Sequence, residues 1–521
     1  MTVRLLFVKL GSNTETRPIV QKIRERLGDS FIAGVEEWLD TPDSVFDEIL
    51  TSHDDALFGA YTKVDVHRLA ISPALYEEIR LFEGQAMRMV DRVKYHVQED
   101  YFFGAGMPAY DDSFQARSDL VFRHSLFWDE VLRKHKFDAV VSQNFSHLGW
   151  DLPLVHFCNR RGIPHLFLHD VGQFPGIQYI QESVEDLGKL SLGASLKTIC
   201  GPHLVPETPN RVVQHLPRLR GEAATSDPFH GRLPVAQGKS FKTSTLSAVL
   251  TSGIVRTEVS GLRDYATAIS QKLKRFARQP RRAFTGFVKT LGRVRTTLKS
   301  MSEERRNWKP IPDTESFVYF PLHFQPEAST SAKGRHFVDQ REAVAMVAAS
   351  LPNDWKLVVK EHPHQWRRLY ERAPNYWSRI AMIPNVVVIP HDSDNGRLIA
   401  DCEGVVSISH STVATEAWAI GRRVVFLGYS HLCEAPGVAS AESVEQLRTL
   451  WGTPFTPPSV AEMEKYLRRV EDSTFEAALF GRPGHLTDAE AEVVIARTQH
   501  NITEMILAWL STKGLTNYPS A

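Results

Sequence analysis

The chain has 521 residues, 42% hydrophobic and 23% charged, the profile of a folded, water-soluble protein with too much apolar material for one core, so that two large domains with additions are expected. Lysine plus arginine (61) equals aspartate plus glutamate (61), which removes any global electrostatic case for nucleic-acid binding. Four scattered cysteines, Cys158, Cys200, Cys402 and Cys433, form neither a disulfide framework nor a zinc cluster, and no apolar run reaches the roughly 20 residues that cross a bilayer, so a cytosolic location is expected.

From the N-terminus, Val3 to Leu10 reads as a buried strand closed by Gly11-Ser12-Asn13, followed by a helix over about 17–27. Residues 71–101 carry apolar positions at helical spacing and read as one or two long amphipathic helices. Phe137 to Ser142 reads as a strand, the stretch up to Arg161 as a helix, and Gly162-Ile163-Pro164 leads into a second strand at His165–Leu168. This is a parallel βαβ unit, and ligands of such sheets collect at the carboxyl ends of the strands. Gln143, Asn144, His169 and Asp170 stand there, as loop caps or as cleft residues. Asp170 and Glu182 are candidate catalytic carboxylates by position alone; either could activate an acceptor hydroxyl or attack a donor.

Between about 240 and 308 the composition shifts, and 272–299 is rich in lysine and arginine without one acidic residue. The segment reads as a basic insert or linker: a solvated helix face, or a surface that docks on an anionic membrane or acceptor. After Pro312 the α/β rhythm returns, with strands at Phe317–Phe320, Lys356–Lys360, Asn385–Pro390, Gly404–Ser409 and Arg423–Leu427 alternating with helices. Five such strands predict a doubly wound parallel sheet. The tail over 459–513 reads as helical, its last helix opened by a capping box, Thr487-x-x-Glu490. The expected organisation is a Rossmann-like unit over 1–235, the basic segment over 236–312, a second Rossmann-like unit over 313–455 and C-terminal helices over 456–521.

Three loops of the second unit carry chemistry. Lys360-Glu361-His362-Pro363 follows a strand directly; a histidine there can donate to a phosphate oxygen, and Pro363 suits the first turn of a helix. Ser407 to Glu416 is a strand running into a helix, where Ser409, Ser411, Thr412 and backbone N–H groups make an anion site and Glu416, a turn further on, can bond ribose hydroxyls; the alternative is an ordinary N-cap and a solvated glutamate. Phe320 to Thr330 would stand at the junction of the two units, with Gln325, Glu327 and Ser329 as candidates to face the sugar and the acceptor. Asp392-Ser393-Asp394 reads as a helix-capping turn rather than a metal site, and no metal is expected.

The segments Phe320–Thr330, Val338-Asp339-Gln340, Leu351–Pro363 and Ser407–Gly428 together resemble the bacterial capsule polysaccharide biosynthesis proteins, which include Kdo transferases of GT-B architecture. The resemblance covers about 317–429; the first 310 residues share only the layout. It implies two Rossmann-like domains with parallel sheets facing a cleft, and a CMP phosphate bound by His362, Pro363, Ser411 and Thr412, with the glutamate role at Glu416. It implies no cofactor beyond a CMP-sugar donor, a saccharide or glycolipid acceptor, and retention at the anomeric centre. A UDP-sugar transferase or nonhydrolysing 2-epimerase on the same scaffold, and a noncatalytic scaffold of a polysaccharide assembly, remain the alternatives.

Overall fold

The structure is a computed structural model that describes residues 2–36, 44–87, 89–90, 113–146, 149–170, 174, 177–221, 295–311, 315–325, 328–363, 365, 372–479 and 487–518. Most of the basic segment, and Glu327 with it, lies outside the described residues, as do residues 91–112 of the expected amphipathic helices. What precedes them is broken: a helix over Pro73–Arg80 gives way to a turn at Leu81-Phe82 before helix resumes. Among the described residues no helix is long and apolar enough to cross a membrane.

Two sheets organise the chain. The first contains β1 (Val3–Val8), β2 (Ser30–Glu36), β3 (Glu48–Ser52), β4 (Ala139–Ser142), β5 (His165–Asp170) and β6 (Ile177–Gln181). The second contains β7 (Phe317–Pro321), β8 (Lys356–Lys360), β9 (Val386–Ile389), β10 (Gly404–Ser407), β11 (Arg423–Phe426) and β12 (Val438–Ser440). The second runs β12-β11-β10-β7-β8-β9 with every neighbour parallel. Counted from β7, that is the order 3-2-1-4-5-6 of a doubly wound nucleotide-binding sheet. The first sheet repeats this arrangement through β5, after which β6 turns back antiparallel. The strands are apolar runs rather than alternating ones because helices cover both faces, so successive side chains are buried on opposite sides.

The expected helical tail turns out to divide between the units. Helix Val460–Ser473 buries Met463, Tyr466, Leu467 and Val470 against the second sheet's apolar layer. The chain then crosses at Thr474 into a two-residue strand, β13 (Phe475–Glu476), which pairs antiparallel with β6 and extends the first sheet. The last helix, Asp488–Thr512, opened by the expected capping box, packs Ile502, Met505, Ile506 and Trp509 against the first sheet. At the crossing Arg211 donates to the carbonyls of Glu471 and Thr474. Beside it a Cβ on Gly193 would come within 1.8 Å of the Ser473 carbonyl, so only glycine fits there.

The units share apolar core as well. Phe174, Ile177, Tyr179, Leu190 and Leu216 of the first pack in one cluster with Trp418, Leu432, Tyr466 and Leu467 of the second. A loop of the first unit is pressed onto the second at Gly188, whose φ is +84° and where a Cβ would meet the backbone of His431 at 2.5 Å. An apolar contact of this kind holds the two sheets in a defined relation, with the carboxyl ends of their strands toward a common cleft.

Candidate active site

In the order 3-2-1-4-5-6 the topological switch point of the second sheet falls between β7 and β10, and the loops leaving these strands in opposite directions open a crevice. Ser407, at the end of β10, has its Oγ 3.0 Å from Nε2 of His323, which follows β7, and 3.2 Å from Oγ of Ser411. Ser411 caps helix Thr412–Ala419, its Oγ accepting from the Ala414 amide at 3.1 Å. A buried line of contacts beneath the crevice therefore leads from the His323 imidazole to Ser411 at the positive end of the helix. The crevice floor is fixed by amides: Gln340 grips both backbone polar groups of His323, and Gln365 does the same for Gln325.

The expected site residues sort into three groups. His362 and Pro363 leave β8 beside the crevice, both half-buried, with the His362 ring 5.9 Å from that of Phe324. Ser411, Thr412 and Glu416 lie on the helix that faces it, all half-buried. Lys360, Ser409 and Gln325 serve the frame instead. Buried Lys360 donates to the Ser393 carbonyl at 2.8 Å and to Asn395, and Ser409 donates to the Ser329 carbonyl at 2.6 Å. Gln325 spends its amide on Thr330 and the Val338 carbonyl and accepts from Arg372. Burial pulls the Lys360 ammonium down to about 8, against the opposing pull of Asp394, Asp392 and Glu416. Ser329 contributes its backbone to that tie. Asp394 caps the next helix by accepting from Gly396, as expected of a capping turn.

Of the two candidate carboxylates, Asp170 ends β5 at the cleft, paired through its backbone with Gln178. Glu182 instead accepts from the Trp509 indole at 2.7 Å and pairs with Lys513 at 2.6 Å, so its carboxylate anchors the last helix.

The structure gathers basic side chains around His169, one of the residues expected at the strand ends, and adds Lys333, His410 and His431 to it. The rings of His410 and His431 lie 3.4 Å apart between centroids. Lys333 Nζ lies 2.9 Å from His169 Nε2, and His169 Nδ1 lies 2.9 Å from Asn144 Oδ1. Since His169 and Asn144 leave β5 and β4 while Lys333 belongs to the second unit, this chain of contacts spans the cleft. Gly428 makes the packing feasible, because a Cβ there would stand 2.3 Å from the Lys333 carbonyl. Burial, then the neighbouring His431 and Lys333, holds His410 well below the usual imidazole range; burial and Lys333 do the same to His431. His323 and His410 lie inside segments already singled out and could have been noted as imidazoles beside an anion site. Lys333 and His431 carry no local signal and meet only through the fold.

No protein-family model matches the sequence, and no curated protein matches it. Among solved structures the chain is similar to a β-Kdo 2,7-transferase, KpsC of Thermosulfurimonas dismutans, with 11% identity, 78% of this chain and 95% of that one covered, and a TM-score of 0.29. The UDP-GlcNAc 2-epimerase of Methanocaldococcus jannaschii follows with 12% identity, 90% and 99% coverage and a TM-score of 0.23. The glycosyltransferase VinC, in complex with dTDP, has 12% identity, 95% and 100% coverage and a TM-score of 0.22. Likenesses this distant assign neither a donor nor a reaction, and the functional reading rests on the site itself.

Proposed function

We propose that this protein is a metal-independent glycosyltransferase of the GT-B arrangement that transfers a sugar from a CMP-sugar, with Kdo or a related acidic sugar as the transferred group, to a growing surface polysaccharide or glycolipid. The observation that carries this reading is the switch-point crevice of the second sheet, where the His323–Ser407–Ser411 contacts lead to the start of a helix and His362-Pro363 leaves the adjacent strand. A nucleotide phosphate seated there is met by helix N–H groups and a hydroxyl, and His362 donates to an oxygen whose charge grows as the glycosidic bond breaks. Glu416 is assigned the ribose hydroxyls. The acceptor lies against the first unit, where Asp170, one residue beyond His169, is the carboxylate assigned to its hydroxyl. Work takes place in the cytoplasm, with the basic segment 272–299 as the contact with the inner membrane face.

Calorimetric titration with CMP, UDP and GDP, repeated on His362→Ala, tests this. Selective CMP binding weakened about 10- to 100-fold by the substitution, the worth of one charge-assisted hydrogen bond, is expected. UDP selectivity would move the assignment to a UDP-sugar transferase or 2-epimerase, and failure to bind any of the three would favour a noncatalytic scaffold.

A further inference from the structure

The imidazole pair at the cleft has a chemistry that the phosphate crevice does not use. A neutral imidazole carries one donor and one acceptor, and both need partners when removed from water. His410 is half-buried as a residue, yet both its ring nitrogens are closed off from solvent and have no hydrogen-bond partner among the described residues. His431 is 2% exposed and its Nε2 is in the same condition. Two imidazoles in contact at a 44° tilt, with three unsatisfied nitrogens between them, are costly in an empty protein and serve a purpose only if something else supplies the partners.

The surroundings identify that partner by its charge. Lys333 from the loop after Ser331, His323 from the end of β7 and His169 from the end of β5 all bear on His410 in the same sense, opposing a positive charge there. Phe174 and Tyr179 face the His431 ring, and the Tyr466 hydroxyl donates to the His431 carbonyl. Lys333, whose carbonyl accepts from the Tyr429 amide at 2.8 Å and whose Nζ lies 2.9 Å from His169 Nε2, is the cation beside the pair, and spare N–H and N groups near a cation suit an anionic oxygen group. Among the described residues no three His, Cys, Asp or Glu side chains converge where a metal ion could be held.

We propose that His410, His431 and Lys333 form an oxyanion subsite that receives a phosphate or carboxylate group of the substrate, one imidazole taking a proton from solvent as the group enters. This deepens the nucleotide-sugar reading and rests on it for the ligand's identity. An anion against the pair offsets the repulsion from Lys333 and stabilises the imidazolium, so binding and protonation are linked.

The experiment is calorimetry on the full chain at pH 7 in two buffers of different ionisation enthalpy, with CMP, CMP-N-acetylneuraminate and inorganic phosphate as probes. Uptake of about half to one proton per bound probe is expected, with affinity weakening up to about tenfold per pH unit between 7 and 8. Uptake with CMP identifies the donor phosphate as the occupant; uptake with CMP-N-acetylneuraminate but not CMP identifies the sugar carboxylate. Uptake with inorganic phosphate while no nucleotide binds would sustain the subsite and sink the nucleotide reading. His410→Asn and His431→Gln, each checked for an unchanged melting transition, should reduce the uptake, but the wild-type measurement stands without them. Binding without proton uptake, no binding of any of the three probes, or uptake intact in both variants overturns the proposal.

Discussion

Arg372 holds the loops of the donor crevice together. Its guanidinium pairs with the Glu361 carboxylate at 2.6 Å and 2.8 Å and donates to the His323 carbonyl and to Gln325, with both charged partners buried. Burial pushes the Glu361 carboxyl up and Arg372 works against it. Arg372→Met leaves that carboxylate uncompensated, and a loss of about 3–5 kcal/mol in urea unfolding is expected, whereas Arg372→Met with Glu361→Gln should cost less than the two single changes together. Two other buried groups contribute to the acid limit. His124, against the Tyr61 hydroxyl, and His165, against Ser142, are each lowered by burial to about 3. Since the unfolded chain protonates both near 6.5, it binds more protons than the native state between about 3 and 6.5, and stability falls as the pH is lowered through that window. By pH 5 the loss is about 2 kcal/mol for each histidine, and His165→Gln should flatten the decline of melting temperature below pH 6.5. At this scale the sequence was least informative. Lys360 and Gln325 have the chemistry of ligand-binding residues, but their partners, Ser393 and Arg372, are fixed only by tertiary packing.

Elements were far more legible, because their signals are local. The helix over Arg17–Leu27, the strand over Lys356–Lys360 and the capping box at Thr487 all follow from periodicity or from the reach of one side chain to a neighbouring amide. The strands β6 and β13 were not, since β13 has only two residues and its pairing joins Phe475 to Gln178 across nearly three hundred residues. The last helix shows what such a remote connection is worth. Trp509 is fully buried in the first unit's core and its indole donates to Glu182. Trp509→Ala should destabilise the protein by about 3–5 kcal/mol, chiefly through the cavity and with a smaller part from the lost hydrogen bond to a Glu182 that Lys513 still pairs, while Trp509→Phe, which keeps most of the volume, should cost less. Thermal unfolding of the two variants separates packing from the hydrogen bond.

For the molecule as a whole, the chain's second crossing decides how the units depend on each other. A plain reading of the sequence divides it into two successive α/β halves and a tail, but the core of the first half contains Phe475, Ala477, Leu479, Ile502, Met505, Ile506, Trp509 and Leu510, all contributed after the second half is complete. The second unit has its own helix, Val460–Ser473, to close its apolar layer. Ending the chain after Ser473 therefore removes nothing from the second sheet and strips one face of the first. The first unit should then lose protection in hydrogen exchange over β1, β4 and β5 and be cleaved rapidly by protease, while β7, β8 and β10 remain protected. Equal loss across both sheets would mean instead that the shared cluster of Tyr179, Leu190 and Trp418 makes the two units one cooperative body. In that case the cleft, and the Lys333–His169 contact across it, would be as rigid as the sheets themselves, and substrate would enter by loop motion rather than by separation of the units.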